Sequence, residues 1–111
     1  MGFRVEQVNS LIQKDLGLIM SRDLELDEGA FITVTRVETC SNLKFAKVFV
    51  TILPEKDRDD IFVYLQKNAA RLKKELSKGL TMKFSPSIKF YIDEIEEHAG
   101  KIEDLLDSLR E

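Results

Sequence analysis

Residues 30–40 read AFITVTRVETC and residues 43–53 read LKFAKVFVTIL, with Cys40-Ser41-Asn42 marking a turn between them. Both runs are rich in β-branched and aromatic residues, which suit a pleated, half-buried surface. In the second run Ala46, Val48, Val50 and Ile52 share one face, with Lys44 standing at the start of that series. Phe45, Lys47, Phe49, Thr51 and Leu53 share the other. The first run alternates imperfectly but still reads as a strand. Two strands joined by so short a turn predict an antiparallel hairpin. Pro54 ends the second strand, because it has no N–H to give to a ladder.

Working outward, the spacing predicts a helix from Ile61 to Leu76. Phe62, Leu65, Ala69, Leu72 and Leu76 follow at steps of 3, 4, 3 and 4. Asp57 or Asp59 is placed to cap it, and Gly79 to stop it. Upstream, Val5, Val8, Ile12, Leu16 and Ile19 make one apolar face of a helix over residues 3–20. The polar stretch Ser21–Gly29 reads as a loop. Downstream, Ser85-Pro86 opens a third strand, Ile88–Asp93. A final helix is predicted over 94–110, with Ile95, Ala99, Ile102 and Leu109 in phase and Gly100 interrupting it. The order α-β-β-α(α)-β-α predicts an α+β fold, a three-stranded sheet with helices packed on one face. Residues 1–93 form one domain in this reading, and 94–111 an acidic C-terminal helix docked on it.

A chain of 111 residues allows one domain, and an apolar fraction of 43% supports a core without disulfides or metal. The single cysteine, Cys40, excludes an internal disulfide and fits a reducing, cytoplasmic setting. No apolar run is long enough for a membrane span. The opening Met1-Gly2-Phe3-Arg4-Val5-Glu6 carries no signal core. The formal net charge of −3 hides a strong segregation. Residues 1–40 sum to −3, 41–60 to 0, 61–92 to +6 and 93–111 to −6.

Catalysis finds little support in the residues. His98 is the sole histidine and stands among Glu96, Glu97 and Lys101, which reads as a solvated helix face. Cys40 has no second cysteine or histidine beside it and reads as a small, partly buried turn residue. Neither GxGxxG nor GxxxxGK[ST] occurs, so no nucleotide-phosphate loop is signalled. Asp59-Asp60, Asp93-Glu94 and Glu96-Glu97 read as helix-start charges. No catalytic residue, metal or cofactor follows from these residues.

The informative pattern is a stripe. At 100° per residue, Lys67, Arg71, Lys74 and Lys78 fall within about 60° of one another, nearly opposite the apolar set. Lys73 lies beside the boundary. The row spans about 16 Å, comparable with several phosphates of a nucleic-acid strand. An ordinary solvated helix back mixes both signs, because i,i+4 Glu–Lys pairs stabilise it. Here like charges recur at those spacings, so the stripe points to phosphate contact. No aromatic interleaves with it, which favours backbone or shape recognition over single-strand stacking.

Four blocks of the sequence carry a family resemblance. These are Arg4-Val5-Glu6-Gln7-Val8-Asn9-Ser10-Leu11-Ile12-Gln13-Lys14; Ile32 to Glu38 followed by Leu43 to Val50; Leu72 to Leu76 with Ser85-Pro86-Ser87-Ile88-Lys89-Phe90-Tyr91-Ile92-Asp93; and Ile102-Glu103-Asp104-Leu105-Leu106. In order and spacing the chain resembles ribosome-binding factor A nearly end to end. The resemblance implies a type II KH-like domain, α-β-β-α-α-β plus a C-terminal helix. It also implies an Ala-x-Gly kink between the second and third helices. Asn68-Ala69-Ala70 stands there instead, which suits either a kinked pair or one continuous helix. The family's Ser-x-Asp turn appears here as Cys40-Ser41-Asn42, a departure that removes a negative charge.

The expectation that results is a non-enzymatic ribosome assembly factor. It would bind the free, immature 30S subunit and 16S rRNA, assist late rRNA processing and matter most in the cold. It would act as a cytoplasmic monomer without a membrane partner. Expected RNA contacts are Lys67, Arg71, Lys74 and Lys78, supported by Lys73 and Lys83, with Asn68 at the helix junction and Arg4, Lys44 and Lys47 as weaker candidates. The competing readings are a generic KH-like RNA-binding module and a protein-interaction module acting through the acidic helix.

Overall fold

The hairpin forms as expected. In the computed structural model, which describes residues 2–79 and 86–94 (side chains for 5–78 and 86–94), β1 (Phe31–Thr39) pairs antiparallel with β2 (Phe45–Leu53). On β2, Ala46, Val48, Val50 and Ile52 are at most 2% exposed. The imperfect alternation of β1 has a structural cause. The register shifts between Val34 and Arg36, so Thr35 is left over as a bulge. Val34 and Val37 therefore both face the core although they are three residues apart.

The turn differs in one respect from the sequence reading, which starts the second strand at Leu43. Leu43 has φ of 61°, outside the β region, and the strand begins at Phe45. This left-handed conformation costs about 1–2 kcal/mol. It is offset by burial of the Leu43 side chain, worth about 2 kcal/mol. Cys40 sits at this turn, half-buried, and its Sγ accepts the Phe45 N–H at 3.3 Å. Burial raises the thiol pKa. The surrounding backbone N–H groups of Phe45, Lys44 and Asn42 outweigh that effect and hold it below the ordinary value.

Helix α1 (Gly2–Asp23) runs one turn further than the periodicity suggests. Leu24 N continues the helical pattern by donating to Met20 O at 3.1 Å, and Leu24 is buried. The loop is thus shorter than Ser21–Gly29, and Gly29, with φ of 87°, turns the chain into β1. The apolar face of α1 places Ile12 and Leu16 fully inside. Two side chains tie this helix to β1. Asn9 Oδ1 accepts the Thr39 N–H at 2.8 Å, and Gln13 Nε2 donates to Val34 O at 3.1 Å and Thr35 O at 3.3 Å.

After Pro54 a turn of 3₁₀ helix (Glu55–Asp57) leads into α2 (Arg58–Lys67). Asp57 takes the capping position, but its side chain makes no capping hydrogen bond. The acids Asp59 and Asp60 act instead through the positive end of the helix dipole. The helical run predicted over 61–76 is two helices, α2 and α3 (Ala69–Gly79), with a break one residue wide at Asn68. The break leaves the apolar phase intact: Leu65, Leu72 and Leu76 are all 0% exposed. Gly79 closes α3, as expected.

Strand β3 (Ser87–Ile92) lies parallel to β2, giving a mixed sheet in the order β1-β2-β3. Pro86 is fully buried just ahead of it. Ile88 and Ile92 pack against the core and Phe90 lies within it. Asp93 follows the strand, still donating its N–H to Val50 O at 2.8 Å. One cluster joins α1, α2, α3 and the inner face of the sheet, so the helices cover one face. The expected architecture of residues 1–93 is therefore borne out over the described residues. The helix expected over 94–110, with His98 and Gly100, lies outside them from residue 95 onward.

Asp93 is more than a strand end and a helix-start charge. Its side chain is 3% exposed. Its Oδ2 accepts the Thr35 hydroxyl at 2.5 Å and lies 3.6 Å from Arg36 Nε. The carboxylate at the end of β3 thereby reaches across β2 to the bulge in β1.

Three measurements test this description. Asp93→Asn should lower stability by about 2 kcal/mol in urea unfolding, because a charge-assisted bond is weakened in a buried place. Gly17 lies within α1 and a Cβ there would meet nothing within 4 Å. Gly17→Ala should therefore raise stability by about 1 kcal/mol, or several degrees in melting temperature. Finally, Cys40 should alkylate with a lower pH midpoint in the folded chain than in urea. The fold gains stability from the thiolate above the unfolded thiol's pKa, and that gain is lost as pH falls through the folded value.

Candidate nucleic-acid interface

The stripe is real in three dimensions. Lys67, Arg71, Lys74 and Lys78 are all exposed, Lys67 ending α2 and the other three on α3. Because the break at Asn68 preserves helical phase, cations from two helices stay in one row. Their surroundings differ. Arg71 Nη2 donates to Asp23 O at 3.3 Å. Lys78 pairs with Glu75 at 3.0 Å, and Glu75 is also 3.4 Å from Arg22. Among the described residues Lys67 and Lys74 form no ion pair. Asp23 lies at the α1 side of the row. Its hydrogen bond to Arg22, with Arg71 and Lys78 nearby, holds its carboxyl below the usual range against the opposing effect of burial.

The supporting residues separate. Lys73 is half-buried and leans toward β3, with Nζ at 3.4 Å from Ser87 Oγ. Asn68 is half-buried and caps the end of α2. Its N–H donates to Tyr64 O and Leu65 O, and its Nδ2 to Tyr64 O at 2.8 Å. The Oδ1 acceptor is what remains for a ligand. Lys44 is exposed in the hairpin turn, where its O accepts the Ser87 N–H at 2.8 Å. Lys47 is exposed on the sheet face away from the helices. The Arg4 side chain and Lys83 lie outside the described residues.

That open sheet face carries a group that the sequence reading leaves out. Phe49 and Tyr91 stack with ring centroids 5.6 Å apart at 27°. Arg36 Cζ is 3.9 Å from the centre of the Phe49 ring. Lys47 Nζ and Lys89 Nζ lie 5.9 and 5.6 Å from the centre of Tyr91. The stripe itself holds no aromatic, as expected. The aromatics and cations instead meet through strand pairing, Phe49 opposite Tyr91 and Lys47 opposite Lys89. Alternation along β2 and β3 signals the face; only the parallel register brings the two strands together.

Negative charge collects elsewhere. A cleft of about 230 Å³ between the α1–β1 loop and α2 is lined by Glu25, Asp27, Asp57, Asp60 and Tyr64, and Tyr64 Oη accepts the Glu25 N–H at 3.0 Å. No group of three or more acidic, cysteine or histidine residues among the described residues is arranged to hold a metal ion. No helix among them is long and apolar enough to cross a membrane.

With this geometry in place, four likenesses are informative. The family model for ribosome-binding factor A matches residues 4–106. A ribosome-binding factor A of Chlorobium phaeobacteroides is 34% identical over 99% of this chain and 97% of its own length. Among solved structures, ribosome-binding factor A of Thermus thermophilus superposes with a TM-score of 0.67 at 17% identity, covering 79% of this chain and 93% of that one. A homology model of the Thermus thermophilus protein, as fitted into the cryo-EM map of a 30S complex with it, gives a TM-score of 0.63 at 21% identity, covering 75% of this chain and 88% of that one. The fold is shared with these structures, and by its sequence the chain belongs to the ribosome-binding factor A family.

Proposed function

We propose that this chain binds the free, immature small ribosomal subunit in the cytoplasm and assists late maturation of its 16S rRNA, acting by occupancy and without catalysis. The observation that carries this reading is the cationic row Lys67, Arg71, Lys74 and Lys78, kept continuous across the α2–α3 break. Family membership supports it, as does the Thermus relative's description in a 30S complex. The row supplies several phosphate contacts and so a salt-dependent affinity. The acidic cleft at the α1–β1 loop repels phosphate, so it gives the domain a preferred orientation on RNA. In this reading Lys73, turned toward Ser87, and Lys44 in the hairpin turn are supporting cations, and Asn68 offers an acceptor at the helix junction; Lys83 and the Arg4 side chain, which lie outside the described residues, stay candidates from the sequence. A domain that holds one rRNA arrangement while maturation proceeds has most effect where RNA rearranges slowly, as in the cold.

Sedimentation tests the proposal. The protein should migrate with free small subunits and little with complete ribosomes. Lys67→Glu combined with Arg71→Glu and Lys74→Glu should abolish co-migration and leave circular dichroism unchanged, because all three side chains are exposed. In titrations that still show binding, the slope of log affinity against log salt should fall by about 2–3. A parent protein that stays at the top of the gradient at low salt would overturn the reading. Unaltered binding by the triple variant would move the interface off α3.

A further inference from the structure

The open sheet face is a second surface that the stripe does not explain. Along β2, Phe45, Lys47 and Phe49 stand on this face at successive steps of about 6.6 Å. On β3, Lys89 and Tyr91 flank them in register. Phe45 is 62% exposed, and Phe49 and Tyr91 are half-buried. Aromatic and cation therefore alternate along each strand, while across the β2–β3 pair ring faces ring and lysine faces lysine.

Lys47 and Lys89 are directly paired across adjacent strands on the same face, an arrangement that like charges disfavour. Among the described residues neither forms an ion pair with a carboxylate. Both lie near the Tyr91 ring instead. Arg36 is occupied differently: its guanidinium is held by Glu38 at 2.9 Å and lies 3.6 Å from Asp93. It braces Phe49, and it also engages Glu38, the carboxylate that stands opposite Lys47 in register, so neither lysine is paired with that group.

We propose that this face binds unpaired nucleotides of RNA, with bases stacking against the Phe49–Tyr91 pair and a backbone phosphate held between Lys47 and Lys89. The inference rests on the ribosomal reading and adds to it a second contact, on the face opposite the helical row. Stacking on aromatics tolerates any base, and lysines beside the rings track the backbone. Thr33, Thr51 and Ser87 supply neutral hydrogen-bonding groups on the same face. A phosphate between the two lysines removes the repulsion that the folded chain carries without it.

The test uses the full chain and a fluorescein-labelled single-stranded RNA oligonucleotide followed by anisotropy, with subunit co-migration measured in parallel. Phe49→Leu combined with Tyr91→Leu should weaken oligonucleotide binding by about tenfold or more, and Tyr91→Phe should retain it. Lys47→Ser combined with Lys89→Ser replaces exposed side chains, so it tests the site without depending on the rings for folding. It should lower the salt slope by about 0.7, the share of one phosphate. In parent protein the Phe49 and Tyr91 ring resonances should shift on adding the oligonucleotide. Parent-like binding by both double variants overturns the proposal. So do ring resonances that stay fixed while α3 amides move, which confines RNA to the helical row. Ring shifts produced by a peptide of residues 95–111 and not by RNA also overturn it, and assign the face to the acidic tail. Failure of the parent to migrate with subunits is a separate result, and it bears on the ribosomal reading alone.

Discussion

A single buried carboxylate organises the sheet. Asp93 ends β3 and reaches past the central strand to the bulge residue Thr35, with Arg36 beside it. A bulge leaves one residue without a ladder partner and bends the strand. Here that residue is secured from both sides, by Asp93 through its hydroxyl and by Gln13 of α1 through its carbonyl. The same contact positions Arg36 over Phe49. Edge strands β1 and β3 do not pair with each other, so this side-chain link is what fixes their relation beyond the pairing each makes with β2.

The helical layer shows a different economy of design. Nothing in the apolar spacing from Phe62 to Leu76 marks an interruption, and the side chains that spacing selects do reach the core. The break at Asn68 comes from local chemistry. Its side-chain amide bonds back to Tyr64 O, and its backbone takes φ −96° and ψ 1°. Asparagine competes in this way with the helical pattern of the main chain. Since only one residue leaves the helix, both the buried stripe and the charged stripe survive it.

Much of this was readable from residue order because most elements are amphipathic with a clean period, β1 with its bulge excepted. The hairpin, the buried set on β2, the third strand and the exposure of Lys67, Arg71, Lys74 and Lys78 all follow from alternation or from 3.6-residue spacing. What escaped was tertiary. The turn of α1 added after Met20 depends on burying Leu24, and the bulge at Thr35 depends on Asp93, far away in sequence. Lys73 looked like a margin of the charged row, yet it turns toward Ser87. The pairing of Phe49 with Tyr91 and of Lys47 with Lys89 depends on the parallel register, for which no local pattern exists.

That parallel register has a consequence for how the surfaces come into being. β1 and β2 meet through a short turn, whereas β3 reaches β2 only after two helices have been threaded between them. Local pairs close early and distant ones late, because loop-closure entropy must be overcome first. A chain that has formed only its hairpin displays Phe49 and Lys47 but lacks Tyr91 and Lys89, and its bulge still lacks Asp93. The cationic row, by contrast, lies within residues 67–78, on the end of α2 and on α3. The open face therefore exists only where β3 has docked on β2, whereas the cationic row is drawn from one short stretch of chain.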